Sequence, residues 1–88
     1  LSPIQDILIT GNNQKTLYFV GNYNNYVNEL GKNNSNVGGK YKIKENLKFD
    51  EFEILNLPNQ LNTRKIIEVG STELLIISNN DFSYLIKK

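Results

Sequence analysis

The sequence predicts an all-β fold, an antiparallel meander of about seven strands. Three observations predict it. Short runs rich in Ile, Leu, Val, Tyr and Phe recur along the chain, and none is long enough for a helix with a stable apolar stripe. Several of these runs alternate apolar with charged residues, the period of a half-buried strand. Between them lie clusters of Gly, Asn, Asp and Ser, the residues that close turns.

The elements follow in order. Residues 1–4 are a lead-in whose Pro3 suits the start or edge of a strand. Residues 5–10 read as the first strand, 11–15 as a turn and 16–20 as the second strand. Leu17 and Phe19 fall on one face of that strand, Tyr18 and Val20 on the other, which suggests cover on both sides. Residues 21–40, with four glycines and seven asparagines, read as a long polar loop of a length usually reserved for function. Residues 41–45 alternate again, with Tyr41 and Ile43 expected inward and Lys42 and Lys44 outward. A turn is expected at 48–50, a strand at 51–57 with Phe52 and Ile54 inward, and a polar link at 59–63. Residues 64–69 form the next strand, their β-branched content and brevity weighing against a short helix. A Gly70-Ser71 turn leads to a strand at 73–78, a turn at 79–81 and a last strand at 82–88. The expected core is Ile7, Ile9, Leu17, Phe19, Ile43, Phe52, Ile54, Ile66, Leu75, Ile77 and Leu85.

Composition narrows the function. Eighty-eight residues make one small β-rich module with a modest core. The absence of cysteine excludes disulfides, thiolate catalysis and thiolate metal sites. The absence of histidine removes the commonest general base and metal ligand. Ten basic against nine acidic residues give no electrostatic case for nucleic acid or a membrane surface. The longest apolar runs, Leu17 to Val20 and Leu74 to Ile77, are far short of a membrane span. The first residue is Leu1, not Met, so further sequence is expected upstream. Fifteen asparagines suit a chain with many turns.

A loose repeat is visible. Asp6-Ile7-Leu8-Ile9, a turn and Leu17-Tyr18-Phe19-Val20-Gly21-Asn22 match Lys65-Ile66-Ile67-Glu68-Val69, a turn and Leu74-Leu75-Ile76-Ile77-Ser78-Asn79 at an offset of about 57 residues. Together with Pro3-Ile4, Asn28-Glu29-Leu30-Gly31-Lys32-Asn33 and the closing run to Asn80, this pattern resembles the C-terminal part of FG-GAP/VCBS-repeat β-propeller proteins, in particular the ASPIC/UnbV-like secreted and surface proteins. The resemblance implies propeller-type blades, one at residues 5–57 bearing the 21–40 loop and part of a second at 64–87. It implies an extracellular or cell-surface location, and a partner in the remaining blades of a larger propeller or in another chain. The family's acidic calcium loop would fall at Gly11, Asn12, Asn13, Gln14 and Lys15, which lack any carboxylate. Calcium wants several oxygen ligands, charged ones among them, so a lost metal site and no cofactor are expected.

No catalytic constellation emerges. The carboxylates alternate with apolar residues or sit in turns, the serines have no histidine, and Gly38-Gly39-Lys40 lacks the spacing of a phosphate loop. Lys40, Lys42, Lys44 and Lys48 with Tyr41 imitate a single-strand nucleic-acid platform, but Glu45, Glu51 and Glu53 neutralise it. Asn33-Asn34-Ser35 fits the N-glycosylation pattern, a match that so many asparagines produce readily by chance. The candidate ligand or partner loop is Asn22, Tyr23, Asn25, Tyr26, Asn28 and Glu29. There aromatic rings with amide neighbours suit a glycan or a protein surface. The expectation is a non-enzymatic interaction or scaffold module; the alternative is a self-standing carbohydrate- or protein-binding β-domain using the Tyr23/Tyr26 loop.

Overall fold

The computed structural model describes residues 4–22, 36–58, 63–79 and 83–88. Among them are seven strands and no helix: β1 (Ile4–Thr10), β2 (Lys15–Asn22), β3 (Asn36–Ile43), β4 (Phe49–Ile54), β5 (Thr63–Val69), β6 (Glu73–Ser78) and β7 (Ser83–Lys87). Every pairing is antiparallel. A first sheet runs β1-β2-β3-β4 and a second β5-β6-β7, so each is a meander of sequence neighbours, and neither closes into a barrel. The all-β expectation and the antiparallel meander are what the chain forms.

The strands start and stop for local reasons. Between β1 and β2, Gly11 takes a φ of 107°, and a Cβ there would lie 2.2 Å from the Gln14 carbonyl oxygen. Only glycine fits that corner. The Gln14 amide then donates to the Lys15 and Ile43 carbonyls at 3.0 and 3.1 Å, tying the turn to β3.

Three expected boundaries move. Residues 36–40, assigned to the long loop, are strand. Gly38 and Gly39 do not break β3 because side chains from neighbouring segments fill their places. Leu55 and Leu57 lie over Gly38, and the rings of Phe19 and Phe52 over Gly39. The turn expected at 48–50 lies earlier. Leu47 N–H donates to the Lys44 carbonyl and Lys44 N–H to the Lys48 carbonyl, each at 2.9 Å. This works because Leu47 adopts a left-handed φ of 63°, a conformation its side chain does not advertise. Finally, β4 ends at Ile54 rather than at residue 57; Leu55 and Leu57 leave the sheet to pack on the core.

The two sheets pack face to face through β1, β2 and β5. Tyr18, Val20, Ile66, Leu74 and Ile76 are buried between them, with Leu8, Leu55, Leu57 and Ile86 against that cluster. Polar ties cross the same interface. Ile66 N–H, on the free edge of β5, donates to Asp6 Oδ2 at 2.9 Å, and the buried Thr63 hydroxyl donates to the Gly21 carbonyl at 2.7 Å. The Thr10 hydroxyl donates to Glu68 Oε2 at 2.7 Å, and the Lys88 ammonium donates to that carboxylate and to Thr10 Oγ1. Lys88 and the Thr10 hydroxyl both hold the Glu68 carboxyl below its ordinary value.

This core corrects the expected one. Of the residues expected inside, Leu17 and Ile66 are buried; Ile7, Ile9, Phe52, Ile54 and Leu85 are exposed. The period of two was right, but the side chosen was the opposite one on most strands. Where both faces of a strand are apolar, alternation separates the faces without saying which one meets the other sheet.

Candidate interaction surface

The residues expected inside instead build the outer face of the first sheet. Cross-strand register sets it out in rows: Ile7–Phe19–Gly39–Ile54, then Ile9–Leu17–Tyr41, then Ile43–Phe49. Residues directly opposite in a sheet share a face, so these rows lie on one side. Four rings gather across β2, β3 and β4. Tyr41 lies 6.2 Å from Phe19, 5.8 Å from Phe49 and 4.9 Å from Phe52, and Phe19 lies 6.3 Å from Phe52, centroid to centroid. These spacings fall within the range of favourable ring pairs.

Two backbone devices make the cluster. Gly39 gives the rings their seat, since a Cβ there would come within 2.5 Å of Phe52 and 2.7 Å of Phe19. A bulge in β4 does the rest. Between Lys40 and Lys42 the pairing shifts, so that Glu51 and Phe52 together oppose Tyr41, and Glu51 has a φ of 53°. In a regular strand Phe49 and Phe52 would point to opposite faces; the extra residue brings both to the Tyr41 side.

The surface is open to water. Ile7, Ile9, Phe49 and Phe52 are 52%, 54%, 57% and 49% exposed, and Ile54 more so. With about half or more of each side chain exposed, these five, two of them aromatic, leave several hundred Å² of apolar area. That matches the largest patch a typical monomer keeps, roughly 300–600 Å², and such patches are often functional.

The opposite face of β3 and β4 is charged where the second sheet does not cover it. Lys40 pairs with Glu53 at 3.4 Å, and Lys42 and Lys44 pair with Glu51 at 3.4 and 3.1 Å. The hydrogen bond from Lys44, then Lys42, holds the Glu51 carboxyl below its ordinary value. Lys40, Lys42 and Lys44 of the imagined nucleic-acid strip each have a carboxylate at hand, so that part of the strip is an alternating ladder and not a positive groove.

No arrangement of catalytic type appears among the described residues. In the Thr10–Glu68–Lys88 cluster the lysine donates to the hydroxyl oxygen, the reverse of what a base would do, and the group joins the sheets. No group of three or more acidic side chains suited to a metal ion occurs among the described residues. An open cleft lies at the hairpin tips between Gln14, Lys15, Ile43 and Leu47.

Of the loop residues singled out from the sequence, Asn22 ends β2 with its backbone opposite Asn36. Tyr23, Asn25, Tyr26, Asn28 and Glu29 lie outside the described residues. The outer aromatic face was assigned to the core by sequence reasoning. Its signal was present in the two-sided strands 5–10 and 16–20, which need cover on both faces when only one is covered from within.

No family model, curated protein or solved structure matches this chain.

Proposed function

We propose that the chain is a non-enzymatic interaction or scaffold module that presents the outer face of its first sheet to another protein surface. The observation that carries this reading is the open aromatic cluster of Phe19, Tyr41, Phe49 and Phe52 flanked by exposed Ile7 and Ile9. An exposed apolar patch of that size suits association better than chemistry. The strand order supports a propeller-type module: a four-stranded meander is followed by a three-stranded one, and the first strands of the two, β1 and β5, pack together. On the resemblance to FG-GAP/VCBS-repeat proteins alone, the module is taken to be extracellular or attached to a cell surface.

The test uses an apolar fluorescent dye of the anilinonaphthalene type. The wild-type chain is expected to enhance its fluorescence. The Phe49→Lys, Phe52→Lys double variant should lose most of that signal while keeping a β-type circular dichroism spectrum. Equal dye binding by both would remove the surface from consideration. A glycan array run in parallel tests the carbohydrate-binding alternative. A signal lost on Tyr26→Ala would move the function to the Tyr23/Tyr26 loop.

A further inference from the structure

The two sheets are copies of one pattern, and the copy extends to their defects. In β1–β2 the register runs Ile4↔Gly21, skips Gln5, then continues through five pairs from Asp6↔Val20 to Thr10↔Thr16. In β5–β6 it runs Thr63↔Ser78, skips Arg64, then continues through five pairs from Lys65↔Ile77 to Val69↔Glu73. The third strands follow in step, Leu17↔Tyr41 and Phe19↔Gly39 corresponding to Leu74↔Ile86 and Ile76↔Tyr84. Bulges re-aim side chains at fixed places, so a shared bulge fixes the equivalence of faces.

That equivalence has a consequence for packing. Ile66, Leu74 and Ile76, which the second sheet buries against the first, correspond to Ile7, Leu17 and Phe19. The latter lie on the outer face of the first sheet. Conversely Leu8, Tyr18 and Val20, buried on the inner face of the first sheet, correspond to Ile67, Leu75 and Ile77 on the outer face of the second. The contact inside the molecule therefore joins two different faces of the repeat, and among the described residues one face of each kind is left unmated, on opposite sides.

At the Thr10–Glu68 position the side chains of the two outer faces are matched, whereas the Asp6 position is taken by Lys65. Inside the molecule Thr10 of the first sheet hydrogen-bonds Glu68 of the second. The equivalents on the outer faces are Val69 and Ile9, so a polar pair is replaced by an apolar pair, and both are exposed, 40% and 54%. A single change to apolar would strand a polar partner; here both sides change together. Leu85, beside Leu75 and half exposed, extends the outer face of the second sheet.

We infer that copies of this chain associate head to tail, the outer face of the first sheet in one copy receiving the outer face of the second sheet in the next. This rests on the interaction-module reading and names the partner as a second copy. The contact is heterologous, so it propagates into a series and does not stop at a pair. Three strands about 4.8 Å apart and five pairs at about 3.4 Å per residue give a footprint of roughly 250 Å² in projection. That is a small interface against the standard of about 800 Å² of accessible surface per partner, so the association is weak and rises with concentration.

Sedimentation of the 88-residue chain across a hundredfold concentration range tests it. The wild type is expected to show a dimer, trimer and higher series. Ile7→Lys and Leu85→Lys each block one face and should each be monomeric alone. Mixed, they should form a one-to-one complex and nothing larger, because each supplies the face the other lacks. Ile7→Thr and Leu85→Thr serve in place of either variant that loses its cooperative β melt. A closed dimer that Ile7→Lys abolishes and Leu85→Lys leaves intact would overturn the head-to-tail contact while keeping the interaction surface. A monomer at every concentration that still binds the dye would overturn self-association and hand the face to a different protein. A monomer that does not bind the dye would overturn both readings.

Discussion

Ile76→Ala and Ile7→Ala remove the same atoms from strands of the two sheets, one on an inner face and one on an outer face, and the structure separates their effects. Ile76 is fully buried between the sheets, whereas Ile7 is 52% exposed on the outer face. Truncating a buried isoleucine costs about 2–5 kcal/mol, the transfer of the lost atoms plus the cavity they leave. Full burial of such a side chain is worth about 1.5–3 kcal/mol, and roughly half of Ile7 is already in water, so its loss costs about 1 kcal/mol with no closed cavity. At about 0.05–0.15 kcal/mol per residue the whole chain holds roughly 4–13 kcal/mol, so Ile76→Ala removes a large share. At about 4–8 °C per kcal/mol for a domain of this size, a difference of about 1–4 kcal/mol should set the two melting midpoints roughly 4–30 °C apart. The assay is thermal and urea unfolding followed by circular dichroism, with the urea midpoint shifting at constant slope. Dilute protein keeps association from adding to the apparent stability of either variant. Equal losses, or a larger one for Ile7→Ala, would refute the assignment of inner and outer faces.

Two further outcomes follow. Leu47 is 80% exposed with a φ of 63°. A left-handed conformation costs a side chain roughly 1–2 kcal/mol and glycine almost none. After about 0.5–1 kcal/mol for the greater freedom of glycine in the unfolded chain, Leu47→Gly should raise the melting midpoint by a few degrees. An unchanged or lowered midpoint would contradict the turn geometry. The Glu68 carboxyl is held below its ordinary value of 4.5 by Lys88 and then Thr10. A depressed folded value stabilises above the unfolded value and is lost as pH falls through the folded one. The melting midpoint should therefore hold at neutral pH and decline below 4.5. Glu68→Gln should flatten part of that decline, and an identical acid slope in the variant would show that this cluster contributes nothing.

Strand existence was legible because the signal is local. Alternation in 41–45, the apolar run at 74–77 and the clusters at 11–15 and 70–71 mark the end of β3, β6 and both tight turns. The faces were not legible, because Leu17-Tyr18-Phe19-Val20 is apolar on both sides and the choice between sides belongs to tertiary packing. Gly38 and Gly39 misled for a related reason. Glycine reads as loop, yet here it makes room for Phe19, Phe52, Leu55 and Leu57, residues near and far in sequence. The aromatic surface depends on the Glu51 bulge, which only the pairing of β3 with β4 defines; from alternation alone Phe49 and Phe52 fall on opposite sides. The repeat was visible as a loose likeness, and its strongest feature, the skipped Gln5 and Arg64, is a property of hydrogen-bond register that a string of letters does not carry.

The distribution of charge decides how such a chain can associate. Strand edges invite edge-to-edge pairing, and proteins block them with bulges and charged side chains. Here the edge strand β4 carries both, the Glu51 bulge and the Lys–Glu ladder shared with β3. The edge of β5 is occupied where Asp6 accepts the Ile66 N–H, and β7 carries Lys87. The outer face of the first sheet has no comparable protection, with Ile7, Ile9, Phe49 and Phe52 open, while on the second Val69 and Leu85 stand open beside Lys65, Glu73 and Lys87. Guarded edges with open faces direct association toward stacking of sheets and away from lateral extension of one sheet. Without disulfides, and with a core of few buried residues, the chain gains from any partner that covers those faces, because binding to the folded form alone raises its stability. On the proposed reading, association and stability of the fold depend on the same residues, and a lysine on either outer face tests both at once.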